Sequence, residues 1–466
     1  MAERFDSPGD GGGPSGGGFL MADLDTGARR VVAPGGSFLE RRFGLAENGT
    51  TVRTEIIAGV TTFLTMAYII FVNPNILSST GMPKEAIFVA TCLAAAVATL
   101  VMALYANYPI ALAPGMGLNA FFAFTVVGAQ GFTWQQALAC VLVSGLMAML
   151  ISLLPIRAWL INAIPASLKM ATSAGIGFFL GIIALQESGL IVDHPATLVT
   201  HGNLLSPGPL LALLGFIIIA ALNHRKVTGS TIIGILAVTI IGIPLGAATF
   251  GGVMSMPPHA GSTFLAMDFS RAAEGTFWIV ALTMFFVDFF DTAGTLVGVT
   301  QRSGMLDAEG RLPRMRQALI ADSGGTTVGA LIGTSNTTSY IESAAGIAAG
   351  GRTGLASVVT AACFLLALFF SPLAGSIPAY ATAAALLFVA VVMARGLADI
   401  DWDDLTEAAP AAITAITMPL TYSIAMGLGF GFITYALLKL FTGRTSELTP
   451  PVVLLAVIFA LMLPML

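Results

Sequence analysis

The sequence predicts an all-α polytopic membrane protein of about fourteen transmembrane segments, set out as two inverted repeats of seven, with segments 3 and 10 interrupted. Three observations predict it. Of 466 residues, 56% are hydrophobic and 10% charged, where a soluble domain carries roughly 25% charged residues. Apolar runs that suit a bilayer recur along the chain from residue 55 onward. Two of these runs, in corresponding places, are broken by proline, glycine and clustered hydroxyl residues.

The first element is a tail, residues 1–37, expected to be disordered and cytoplasmic. Its Gly11-Gly12-Gly13-Pro14-Ser15-Gly16-Gly17-Gly18 stretch is too poor in apolar surface to fold. No basic stretch followed by a short apolar run and a cleavage site marks a signal peptide. The first repeat, 38–247, holds spans near 55–77, 86–106, 110–128, 136–154, 165–186, 208–222 and 230–247. An extracellular connection, 248–274, leads to the second repeat, 275–441. Its spans lie near 275–298, 317–333, 339–351, 354–371, 377–395, 409–419 and 421–441. The remaining tail, 442–466, carries an apolar segment at 450–465 that either spans or lies at the interface.

Charge sets the orientation. With the N-terminus inside, Arg41, Arg42, Arg53, Arg157, Lys169, Arg225, Lys226, Arg302, Arg311, Arg314, Arg316, Arg352, Arg395, Lys439 and Arg444 all fall on the cytoplasmic side. Lys84 and Arg271 fall outside. An odd number of spans per half makes the halves inverted, and Ile164-Pro165-Ala166 and Ile377-Pro378-Ala379 open matching spans. That plan belongs to secondary transporters, where paired interrupted segments mark the binding site. Asn48-Gly49-Thr50 matches a glycosylation sequon but falls on the cytoplasmic side. Cys92, Cys140 and Cys363 stand alone in apolar runs, and the four histidines form no ligand cluster, so no metal or cofactor is expected. A net charge of −5 excludes little for a chain mostly in lipid.

The interrupted segments and one acidic stripe carry the chemistry. Pro109 and Pro114-Gly115-Met116-Gly117 cannot continue a helix, and a helical run is expected after Asn119, a good N-cap. Gly333-Thr334-Ser335-Asn336-Thr337-Thr338 suits extended backbone, with a short helix from Ile341 to Ala349. Ser339-Tyr340-Ile341-Glu342 also fits a capping box, in which Glu342 only closes its own helix start. Asp288 and Asp291 are three apart inside an apolar helix and share a face that Thr292 and Thr295 extend. An aspartate at such depth costs about 2.5–3.5 kcal/mol on insertion scales and marks function by default. The two aspartates sit close enough to titrate as a coupled pair. The phenylalanines beside them are expected to pack.

Phe286-Val287-Asp288-Phe289-Phe290-Asp291-Thr292-Ala293-Gly294-Thr295 and Gly333-Thr334-Ser335-Asn336-Thr337-Thr338-Ser339-Tyr340-Ile341-Glu342-Ser343 closely resemble the adenine/guanine/hypoxanthine permeases, the azaguanine-permease-like branch of the nucleobase–cation symporters. Ala113-Pro114-Gly115-Met116-Gly117-Leu118-Asn119-Ala120 and Met418-Pro419-Leu420-Thr421-Tyr422-Ser423-Ile424-Ala425 look like that family too, and the resemblance runs from about residue 38 to 441. It implies a uracil-permease-like core and gate, with segments 3 and 10 pairing as short antiparallel strands between half-helices. It also implies import of purine nucleobases by proton symport at the cell membrane. By motif, Asn119, Asp288 and Glu342 would contact the base, with Gly117 and Thr338 from the same motifs. Asp291 would serve transport, sharing proton coupling with Asp288. The partners implied are the base, a proton and the bilayer, with a homodimer left open and no nucleic acid. Sodium coupling stays open, as does an anion transporter on the same fold, though the latter would offer cations to its substrate. An intramembrane aspartyl protease places its aspartates on separate helices, and its Gly-x-Gly-Asp signature is missing here.

Overall fold

In the computed structural model, residues 37–154, 164–259, 261–301, 305 and 312–462 are described. The tail 1–36 and the cations Arg157, Arg302 and Arg311 lie outside them. Among the described residues, nine helices are long and apolar enough to cross a membrane, from Val52–Ser78 to Ile424–Phe441. Met116–Ala129, Ser230–Gly242 and Pro450–Met462 are apolar and shorter. Helix starts follow local chemistry. Thr51, Thr353, Asp404 and Ser423 each accept a first-turn N–H, and Thr133 with Gln136 closes a capping box on Trp134–Leu153.

The helices pack in two groups. Val52–Met66, Lys84–Val101, Trp134–Leu153, Met315–Ile332 and Gly354–Ala367 form one, with Gly275–Gln301 against Trp134–Leu153. Ala166–Glu187 and Ala379–Ala394 centre the other, with Pro207–His224, Ser230–Gly242, Leu405–Leu420, Ile424–Phe441 and Pro450–Met462. Each group draws on both halves of the sequence. Met315–Ile332 buries Asp322, Ser323 and Thr326, which lipid would not tolerate. It can do so because Lys84–Val101 and Trp134–Leu153 flank it.

Two short strands cross inside the first group. Leu112–Pro114 and Thr337–Ser339 pair antiparallel in the register Leu112↔Ser339, Ala113↔Thr338, Pro114↔Thr337. Gly115 N–H to Asn336 C=O and Tyr340 N–H to Ala111 C=O, both 2.9 Å, extend the pairing. A two-stranded sheet leaves both outer edges unpaired, which is costly away from water. Here one threonine closes each edge. Thr99 donates to the Leu112 carbonyl (3.0 Å) and accepts its N–H (2.9 Å). Thr326 does the same for Thr337, at 3.0 and 3.2 Å.

Several expectations change in detail. The half-helix after the first strand starts at Met116, not after Asn119, because Gly115 takes the extended cap position directly behind Pro114. It continues as wider turns over Phe121–Ala129. The second short helix is Ser343–Ala348, and Glu342 makes no side-chain cap bond to it. Strands are not confined to the interrupted segments. Ile191–His194 and Leu198–His201 form a hairpin, its β-branched Val192 and Thr200 paired across it. Pro450–Met462 packs on Ile424–Phe441, where Phe459 stacks on Phe432 at 5.9 Å, while Leu454 and Leu461 stay exposed.

Candidate functional site

Two polar stripes meet face to face. On Gly275–Gln301, Asp288 accepts the Thr326 hydroxyl (3.1 Å), and the Thr292 hydroxyl donates to Asp322 Oδ2 (2.8 Å). The residues are four apart on each helix and pair in reverse order, so these bonds clamp the two helices antiparallel. Asp288 is 1% exposed and Asp322 wholly buried. Asp291 stands further round the helix, partly exposed, and accepts the Thr338 hydroxyl at 3.2 Å.

The strand Thr337–Ser339 is thus held by carboxylates on both sides. Asp322 Oδ1 accepts the Ser339 N–H and hydroxyl, each at 3.1 Å, while Asp291 meets Thr338. Three residues past the strand, Glu342 Oε1 accepts the Tyr68 hydroxyl at 2.5 Å. Tyr340 donates to the Pro114 carbonyl at 2.6 Å and ties one interrupted segment to the other. Asn119 is fully buried on the opposite half-helix, where its Oδ1 accepts the Ser335 hydroxyl. Its Nδ2 meets no hydrogen-bond partner among the described residues. Asp322 and Glu342 both lie within electrostatic reach of Asp291. None of these groups is a cation.

The fold therefore gathers Asp291, Thr338, Glu342 and Asn119 around the strand crossing, and sets Asp288 against Thr326. The capping-box reading of Glu342 gives way, because Ser339 donates to Asp322 and Tyr68 binds the glutamate. Gly117 faces the other helix group, since a Cβ there would lie 2.6 Å from Ile176 Cγ2. The phenylalanines of the stripe pack as expected. Phe286 stacks on Phe290 at 6.3 Å, and Phe290 on Phe432 at 5.7 Å. Sequence reasoning passed over Asp322, although an acidic residue within the apolar segment 317–333 is the same signal that singled out Asp288. For Tyr68 no signal existed.

Helices of this length, a strand crossing among them and buried carboxylates define a polytopic membrane protein. The chain belongs to the Permease family, whose model matches residues 53–430. It is 47% identical over 431 residues to the adenine permease AdeP of Escherichia coli, covering 92% of this chain and 96% of that one. To the guanine/hypoxanthine permease PbuG of Bacillus subtilis it is 45% identical over 433 residues, covering 90% and 98%. The transmembrane domain of a cyanobacterium bicarbonate transporter, BicA, superposes with a TM-score of 0.63 at 17% identity, covering 81% of this chain and 97% of that one. That likeness shows the fold alone.

Proposed function

We propose that this chain imports purine nucleobases (hypoxanthine, guanine or adenine) across the cell membrane by proton symport. The observation that carries the reading is that the strand crossing sets Asp291 on Thr338, with Asn119 bound to Ser335 just before the strand and Glu342 three residues past it. A purine edge sets N–H donors and ring or carbonyl acceptors in one plane. Carboxylates accept the donors, and the Asn119 amide has an N–H left for an acceptor. Relatives named as adenine and guanine/hypoxanthine permeases support the substrate class.

The coupling proton is held at the carboxylate cluster when the base binds and leaves to the cytoplasm afterwards. Alternating access follows from movement of the first helix group, a core bearing the strands, against the second as gate. The fourteen-segment inverted layout, a cytoplasmic N-terminus and assembly as a homodimer belong to the same proposal. An anion transporter on this fold is the alternative reading, yet clustered carboxylates repel an anion.

Uptake of radiolabelled hypoxanthine by cells expressing the chain tests the reading, with competition by adenine, guanine, xanthine and uracil. Uptake that purines inhibit and uracil does not is the expected result. Bicarbonate transport without purine uptake would sink it. Uptake with and without sodium at fixed pH separates the two coupling ions.

A further inference from the structure

Glu342 is held from outside its own helix. It occupies the cap position before Ser343–Ala348, yet its carboxylate makes no capping bond there. Instead its Oε1 accepts the Tyr68 hydroxyl at 2.5 Å, and its carbonyl accepts the Thr65 hydroxyl at 3.4 Å. Both donors sit at one place, where Val52–Met66 gives way to Ile69–Ser78. Tyr68 is 1% exposed, whereas Glu342 keeps a partly exposed side chain. The hydroxyl that holds the carboxylate is buried, while the glutamate itself keeps some exposure.

A long flexible glutamate loses rotamer freedom when it meets a ligand, and one already fixed loses less. A donor on Oε1 also settles which oxygen is presented to an incoming N–H. We propose that Tyr68 is a positioning residue for the substrate: acting through Glu342, it fixes the carboxylate so that one oxygen faces an N–H of the base. This rests on the nucleobase reading above.

The test compares wild type with Tyr68→Phe, which keeps the buried ring and removes one oxygen. Uptake kinetics are measured per molecule at the cell surface, and hypoxanthine, adenine and guanine binding by calorimetry on the folded fraction of the purified full chain. Hydrogen bonds to charged groups are worth enough that KM and Kd should rise about tenfold for the transported purine. Vmax per molecule should change by less than about twofold, as expected when only binding is lost. Thr65→Val removes a hydroxyl that reaches Glu342 only at the backbone carbonyl and is shared with the Thr61 and Thr62 carbonyls, and should give a smaller rise. Unchanged affinity in folded Tyr68→Phe overturns the proposal. So does a fall in Vmax at constant KM, which marks a role in the conformational step, and so does failure of Tyr68→Phe to fold, which makes the hydroxyl structural. Wild type that binds no purine is failure of the transport reading, seen before any variant is compared.

Discussion

Asp322 holds the strand that carries half the site. Its bonds to the Ser339 N–H, the Ser339 hydroxyl and the Thr292 hydroxyl make it a structural anchor. Asp322→Ala strands a buried N–H, a loss of about 1–3 kcal/mol. Thermal unfolding in detergent should show a lowered midpoint together with weakened purine binding, while Asp322→Asn, which keeps an acceptor, loses less. An alanine variant as stable as wild type would remove that role. Among the described residues, Asp291 makes one side-chain hydrogen bond, to Thr338, and is partly exposed. Outside the spans, hydrogen bonds from Thr406 and Arg444 hold the Asp404 carboxyl down at about 2. A depressed carboxyl contributes stability above its unfolded value and loses it as pH falls through the folded one. Removing a donor with Arg444→Gln should therefore raise the Asp404 midpoint toward 3.8 in an NMR titration. An unmoved midpoint would discount the ion pair.

Elements are joined here by close approach. Gly333 ends Met315–Ile332 at φ 104°, and a Cβ there would lie 2.3 Å from Thr263 Cβ. Gly333→Ala should cost about 1 kcal/mol or more, seen as a lowered unfolding midpoint, since both backbone strain and contact oppose it. Gly117 against Ile176 lets the strand-bearing group touch the other group. Gly117→Val should slow uptake several-fold, and Ile176→Ala should partly restore it; rates unchanged in Gly117→Val would show that the contact is slack. The broad outline of these elements was legible. Apolar runs located the helices, and the hydroxyl-rich stretch at 333–338 read as extended backbone, while Pro114-Gly115 showed only where a helix must break. Other features were hidden because long-range partners decide them. Glu342 fits a capping box locally, but Tyr68, 274 residues away in sequence, takes its carboxylate. Thr99 and Thr326 looked like ordinary helix residues until the strand edges they close were in place. Asn119 lost its capping role to Gly115, which holds the extended cap position directly after the strand.

For the molecule as a whole, the interleaving of both sequence halves in each helix group suits a machine of two bodies. One body carries the strand crossing and the carboxylates. The other presents mostly apolar helices, such as Ala166–Glu187, to it. Under the proposed symport, a proton on the cluster would lower its charge and so ease passage of a neutral base through an apolar setting. The most direct measurement is hypoxanthine accumulation by the purified chain in proteoliposomes under an imposed inward proton gradient. The account predicts concentrative uptake by wild type that a protonophore abolishes, and Asp291→Asn that still binds the base but does not concentrate it. Concentrative uptake by Asp291→Asn equal to wild type, or wild-type uptake indifferent to the gradient, would contradict it.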